Sequence, residues 1–224
     1  MDHKRVIVLC GHYGSGKTNI ALHIAKQIKS SGCDVAIADL DIVNPYFRTK
    51  DSAEELKKAG ITLICSDYAG TNVDIPALPG EIYSLTEDRS RYAVLDIGGD
   101  ERGALALGRL APEIVKENNY EMLAVVNMCR PLTRDAASAV SVLREIEYAC
   151  KIPFTGIINN TNLGRDTTPD IVTDSEKYVS EISKIMQIPV VMTTVCENVF
   201  DELKNKIPNL EKIDLQKKIF EEGE

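Results

Sequence analysis

An α/β protein is predicted, with a mostly parallel sheet of about seven strands and helices on both faces. Three observations carry this prediction. Short apolar runs alternate with stretches of helical periodicity along the whole chain. The 224 residues are 44% hydrophobic and show no linker, repeat or shift in composition, so residues 1–224 are expected to form a single domain with a sizeable core. Finally, a glycine-rich string, Gly11-His12-Tyr13-Gly14-Ser15-Gly16-Lys17-Thr18, stands between the first apolar run, Val6-Ile7-Val8-Leu9-Cys10, and the first helical stripe.

That string has the spacing of a P-loop. A phosphate cradle needs a buried strand to fix the loop and a helix N-terminus to aim backbone N–H groups at the anion, and the flanking sequence supplies both. Glycines at 11, 14 and 16 let the backbone wrap a β-phosphate. Lys17 can reach the β/γ oxygens and the Thr18 hydroxyl can ligate Mg²⁺. His12, Tyr13, Ser15 and Asn19 complete the stretch expected to line the nucleotide. A glycine-rich turn that happens to precede a lysine would match the spacing in roughly 1% of chains of this length, before strand and helix are required.

The first helix, 16–31, carries Ile20, Ala21, Ile24, Ala25 and Ile28 on one stripe and stops at Ser30-Ser31-Gly32. A second strand, 34–39, runs into Asp41-Ile-Val-Asn44-Pro45-Tyr46-Phe47-Arg48, where Pro and Asn end regular structure. Asp39 and Asp41 thereby fall at the C-terminal edge of the sheet, where open α/β folds bind ligands. A short helix over 52–59 closes at Gly60, a third strand covers 61–65, and 66–80 is too irregular to assign. The fourth strand, 92–96, ends in Asp96 and is followed by Ile97-Gly98-Gly99-Asp100. An Asp there can hold an Mg²⁺ water, and a Gly just beyond can offer its N–H to a γ-phosphate.

A helix over 104–118 is expected to break or restart at Pro112, and the fifth strand covers 122–127. Thr133 is expected to cap a long helix that buries Ala136, Ala139, Val140, Leu143, Ile146 and Ala149. Arg130 and Arg134 at its start stand within reach of phosphate or base, although solvated surface arginines are commoner. A sixth strand over 154–162 runs out into amides. Thr168-Pro169 opens a helix to about 186, a seventh strand spans 189–195, and a helix starts at Glu197. The charged tail after Pro208 reads as a surface helix.

A net charge of −8 without a basic cluster argues against nucleic acid or anionic membrane as partner. Cysteines 10, 33, 65, 129, 150 and 196 form no CxxC pair and no Cys/His metal spacing, and read as small core hydrophobes in a reducing compartment. No apolar leader precedes the first strand and no run approaches a membrane span, so a cytoplasmic location is expected.

Taken together, Gly11-x4-Gly-Lys-Thr, Asp39-Leu-Asp41, Asp96-Ile-Gly-Gly and Gly156-Ile-Ile-Asn-Asn160 resemble the SIMIBI class of P-loop ATPases. The resembling branch holds MinD and ParA type proteins, the nitrogenase iron protein, and the cobyrinic acid a,c-diamide synthase and dethiobiotin synthetase group. Asp-Ile-Val-Asn-Pro-Tyr-Phe-Arg and Val-Leu-Asp-Ile-Gly-Gly-Asp are similar to stand-alone ATP-binding proteins named after the cobyrinic acid synthase nucleotide-binding domain. The resemblance implies that Lys17 and Thr18 bind phosphate and Mg²⁺, with Asp39 an outer-sphere Mg²⁺ partner and Asp96 the Walker B carboxylate. It further implies that Asp41 orients or deprotonates the attacking water, Gly99 senses the γ-phosphate and Asn160 reads adenine. MinD and ParA proteins carry a lysine where this chain has His12, and the iron protein's cluster cysteine falls on Gly103. The loop also resembles that of signal-recognition-particle GTPases, but their Asp-Thr-Ala-Gly and their guanine-reading Asp are missing, since Asn159-Asn-Thr-Asn162 ends in an amide.

The implied activity is a slow, Mg²⁺-dependent ATPase that dimerises on ATP and acts on an unknown client protein or metallocofactor enzyme. The alternative is an ATP-dependent small-molecule kinase or a carboxylate-activating synthetase, with Asp41 as base on the acceptor.

Overall fold

A computed structural model describes residues 3–40, 52–65, 80–99 and 101–214. Eight strands form one sheet: β1 (Val6–Cys10), β2 (Val35–Leu40), β3 (Thr62–Cys65), β4 (Tyr92–Ile97), β5 (Tyr120–Val126), β6 (Gly156–Asn159), β7 (Val190–Val195) and β8 (Leu210–Lys212). Their order is β3-β2-β4-β1-β5-β6-β7-β8, and every pairing is parallel. A parallel sheet needs covering on both faces, and the strand sequences are apolar at nearly every position for that reason. In β1, Val6, Val8 and Cys10 face one core while Ile7 and Leu9 face the other.

Helices α1 (Lys17–Ser30) and α2 (Ala53–Lys58) cover the second face through Ile20, Ile24, Ile28 and Leu56. Helices α3 (Ser84–Glu87), α4 (Glu101–Glu117), α5 (Ala136–Cys150) and α6 (Pro169–Met186) cover the first. Helix α7 (Glu197–Leu203) closes a smaller cluster of Val172, Val195, Val199, Leu203 and Ile207 beside β7. At the N-terminal edge of the sheet, buried Arg5 pairs with Glu117 and donates to the carbonyls of Leu85 and Arg91, tying α3 and α4 to the start of β1 and β4. No helix among the described residues is long and apolar enough to cross a membrane.

Four sequence expectations change. Helix α4 runs unbroken through Pro112, because Ala104, Leu107, Leu110, Ala111 and Ile114 stay in register on the core while Pro112 faces solvent. The cap of α5 is Asp135, whose side chain accepts from Ser138 N at 2.9 Å, while Thr133 sits in a preceding 3₁₀ turn and donates to Asn127 O. Instead of a surface helix, the chain after Pro208 forms β8, held by Ile207 and Leu210 against the α7 cluster; 215–224 lie outside the described residues. Of the six cysteines only Cys10 and Cys150 are buried, and all are free thiols.

Candidate nucleotide-binding site

The chain leaves β4, passes β1 and continues on its other side as β5, so the C-terminal end of β1 is a switch point of the sheet. The P-loop stands there. Cys10, which closes β1, is buried, and burial pushes its thiol far above the ordinary value of 9.0, so it acts as core. Gly16 precedes α1 in a left-handed conformation, φ 92°, and a Cβ on it would lie 2.1 Å from Asn160 Nδ2. No side chain caps α1, and its first turn holds no acidic residue. The positive end of that helix and its first N–H groups thus face the loop, an arrangement suited to an anion.

Lys17 is 5% exposed and folds over the loop, donating from Nζ to Gly11 O at 3.1 Å and to His12 O at 3.2 Å. An ammonium carries three donors, so one remains for a phosphate oxygen. Ser15 Oγ is buried in the loop without a hydrogen-bond partner among the described residues. His12 Nδ1 lies 2.9 Å from Tyr13 O, and Tyr13 is half exposed. Asn19, in the first turn of α1, is partly buried.

On the β4 side, the Thr18 hydroxyl donates to Asp96 Oδ2 at 2.7 Å, and both residues are buried. Asp39 is the register partner of Asp96 on the neighbouring strand β2 and is also buried. A hydroxyl and carboxylates at one sheet edge are hard oxygen donors of the kind Mg²⁺ takes. Gly99 lies against the P-loop so closely that a Cβ would come within 2.5 Å of Tyr13 N. The stretch Asp41-Ile-Val-Asn44-Pro45-Tyr46-Phe47-Arg48, and Asp41 with it, lies outside the described residues, as does the irregular stretch 66–79.

On the β5 and β6 side the polar groups are amides and hydroxyls. Asn160 is 2% exposed; its Nδ2 donates to Ser15 O at 2.6 Å and its Oδ1 accepts from Thr194 Oγ1 at 2.6 Å. Asn159, one residue earlier, faces away, donating to Ser175 Oγ and Glu176 Oε1 under α6. Asn127, at the end of β5, donates to Asn162 O and accepts from Cys129 N. Arg130 Nε donates to Gly14 O at 2.7 Å.

The structure therefore gathers the loop residues with Asp39, Asp96, Gly99 and Asn160 at one edge, and adds Asn127 and Thr194, which sequence reasoning passed over. Asn127 had the same signature as Asp39 and Asp96, a polar residue closing a buried strand.

No protein-family model and no curated protein matches this chain. Solved structures match it in fold. The signal recognition particle receptor FtsY from Elizabethkingia anophelis, in complex with GDP, is 18% identical over 87% of this chain and 58% of its own, with a TM-score of 0.53. For the 54 kDa signal recognition particle protein from Aeropyrum pernix, in complex with GDP, the values are 15%, 86%, 41% and 0.53. For FtsY from Thermotoga maritima they are 21%, 87%, 62% and 0.53. This chain spans between 41% and 62% of the length of these three structures. It has the P-loop α/β fold of these signal recognition particle proteins.

Proposed function

We propose that this chain is an Mg²⁺-dependent nucleotide switch that binds and slowly hydrolyses ATP, dimerises in the ATP state and acts on a client protein, in the manner of the MinD and ParA branch. The observation that carries the reading is the Thr18 to Asp96 hydrogen bond beside Lys17 at an uncapped helix N-terminus. In this reading the α1 N–H groups and Lys17 hold the β- and γ-phosphates, and Thr18 Oγ1 and Asp96, with Asp39 behind them, hold Mg²⁺. Mg²⁺, when bound, neutralises charge developing on the transferred phosphoryl group. Gly99, which rests on the loop backbone, must shift to admit a γ-phosphate, and that shift is the switch. Asp41 orients or deprotonates the attacking water.

Adenine is favoured over guanine because 159–163 carry amides, a hydroxyl and an apolar side chain, and no carboxylate to accept from guanine N1–H and N2–H₂. GDP in two of the matched structures makes this choice of base the point to test.

Asp41→Ala separates binding from hydrolysis. Light scattering of this variant with Mg·ATP, Mg·GTP and Mg·ADP is expected to show twice the monomer mass with ATP only. An equal mass with ATP and ADP, together with acceptor-dependent ADP release by the parent chain, replaces the switch with a small-molecule kinase or synthetase. Equal dimerisation with GTP overturns the adenine assignment.

A further inference from the structure

One cation beside the phosphate loop has no part in the phosphate chemistry above. Arg130 is half-buried, and its side chain makes one hydrogen bond with the described residues, Nε to Gly14 O. Its two Nη groups show no hydrogen bond or ion pair with the described residues. The bond to the Gly14 carbonyl sets where the guanidinium stands, against the outer turn of the loop at Gly14, where a Cβ would lie 3.4 Å from Arg130 Nε.

The strand order fixes which side that is. Asp96 and Gly99 follow β4, on one flank of β1, and Arg130 follows β5, on the other. A nucleotide whose terminal phosphate and metal lie toward β4 extends its nucleoside end over the loops after β5 and β6. Those two loops are tied together, Asn127 Nδ2 to Asn162 O at 3.3 Å and Met128 N to Thr161 Oγ1 at 3.1 Å. They also expose Leu132 and Leu163, apolar surface suited to a base.

We propose that Arg130 stacks its guanidinium plane on the nucleobase, clamped by its bond to Gly14 O, with the base lying over the tied β5 and β6 loops. This rests on the nucleotide reading of the P-loop. A guanidinium plane stacks on aromatic rings through cation–π attraction and reads no base edge. The side chain therefore contributes to affinity and not to the choice between bases. Its contribution is the same for a diphosphate as for a triphosphate, because it stands away from the γ-phosphate.

The test is calorimetric titration of the parent, Arg130→Ala and Arg130→Lys with Mg·ADP, Mg·ATP and Mg·tripolyphosphate, which has no base. Arg130→Ala is expected to weaken ADP and ATP by the same factor, about tenfold, and to leave tripolyphosphate unchanged. Arg130→Lys, which keeps the charge and loses the plane, is expected to recover little of the loss, and it carries the test if the alanine variant does not fold. A loss for ATP alone makes Arg130 a γ-phosphate cation, and a loss extending to tripolyphosphate makes it a phosphate ligand. No loss for any ligand makes it a strut of the loop. Each of these three outcomes overturns the stacking role. A parent chain that binds none of the ligands overturns the phosphate-site reading and this inference with it.

Discussion

The two flanks of the phosphate loop are built from different chemistry. Toward β4 stand the carboxylates of Asp39 and Asp96, with the Thr18 hydroxyl on Asp96. Toward β5 and β6 stand the uncharged Asn127, Asn160, Thr161, Asn162 and Thr194, with the Arg130 guanidinium at the rim of the loop. An amide donates and accepts at once, so it can bind two neighbours that lack partners and leave no net charge buried. A carboxylate only accepts, and when buried it calls for a cation. The flank proposed to meet metal and phosphate is ionic, whereas the contacts that hold the other side of the loop in shape are made by neutral amides and hydroxyls, together with the charged contact of Arg130 on Gly14 O. Substitutions on the two flanks should therefore fail differently.

The largest effect is expected at the centre, where Lys17→Ala removes the ammonium proposed to bind the β/γ oxygens. Nucleotide affinity should fall about a hundredfold, the weight of a strong charged hydrogen bond, with the circular dichroism of the parent retained. Calorimetry showing parental Mg·ATP affinity in this variant would remove the phosphate assignment from both flanks.

Asn160→Ala comes next and tests the amide flank. It leaves the buried Ser15 carbonyl without its amide donor and Thr194 Oγ1 with only the longer bond to Asn159 O, which costs about 2 kcal/mol. In a chain of this size that corresponds to about 4–8 °C in Tm without any nucleotide present. A variant that keeps the parental Tm and loses only its preference for ATP makes Asn160 a base reader and the flank a recognition surface.

The smallest effect belongs to Glu176, the carboxylate beneath Asn159. Burial holds its pKa above the ordinary value of 4.5, against the lowering contacts of Asn159 and Thr193. Its protonated form is thus favoured in the folded chain. The associated stability is full below pH 4.5 and declines as pH rises through the raised value. Glu176→Gln, which copies the protonated form, should melt slightly above the parent at pH 7 and together with it at pH 4. A parent that melts above the variant at pH 7 would show a cation near this carboxylate.

Much of this architecture is legible from local sequence. The P-loop is eight contiguous residues, and the αL conformation before α1 is allowed because position 16 is Gly. Apolar runs mark strands buried on both faces, and Thr168-Pro169 starts α6 as its cap and first-turn chemistry require. The misread elements are those where distant packing outweighs local signal: α4 through Pro112, the α5 cap displaced by a 3₁₀ turn, and β8 after Pro208.

By itself the sequence determined most of the elements, the phosphate loop and most of the polar residues that close the strands, because these depend on neighbours a few positions apart. Which of those polar residues meet was decided by the strand order. Thr18 reaches Asp96 across 78 positions, Gly14 meets Arg130 across 116 and Ser15 meets Asn160 across 145. Asn159 and Asn160 are the same residue type one position apart, yet one turns under α6 and the other under the phosphate loop. An amide bonds equally well in either setting, so composition and spacing do not distinguish the two. The alternation of side chains along β6, between two faces covered by different helices, assigns each amide its partner.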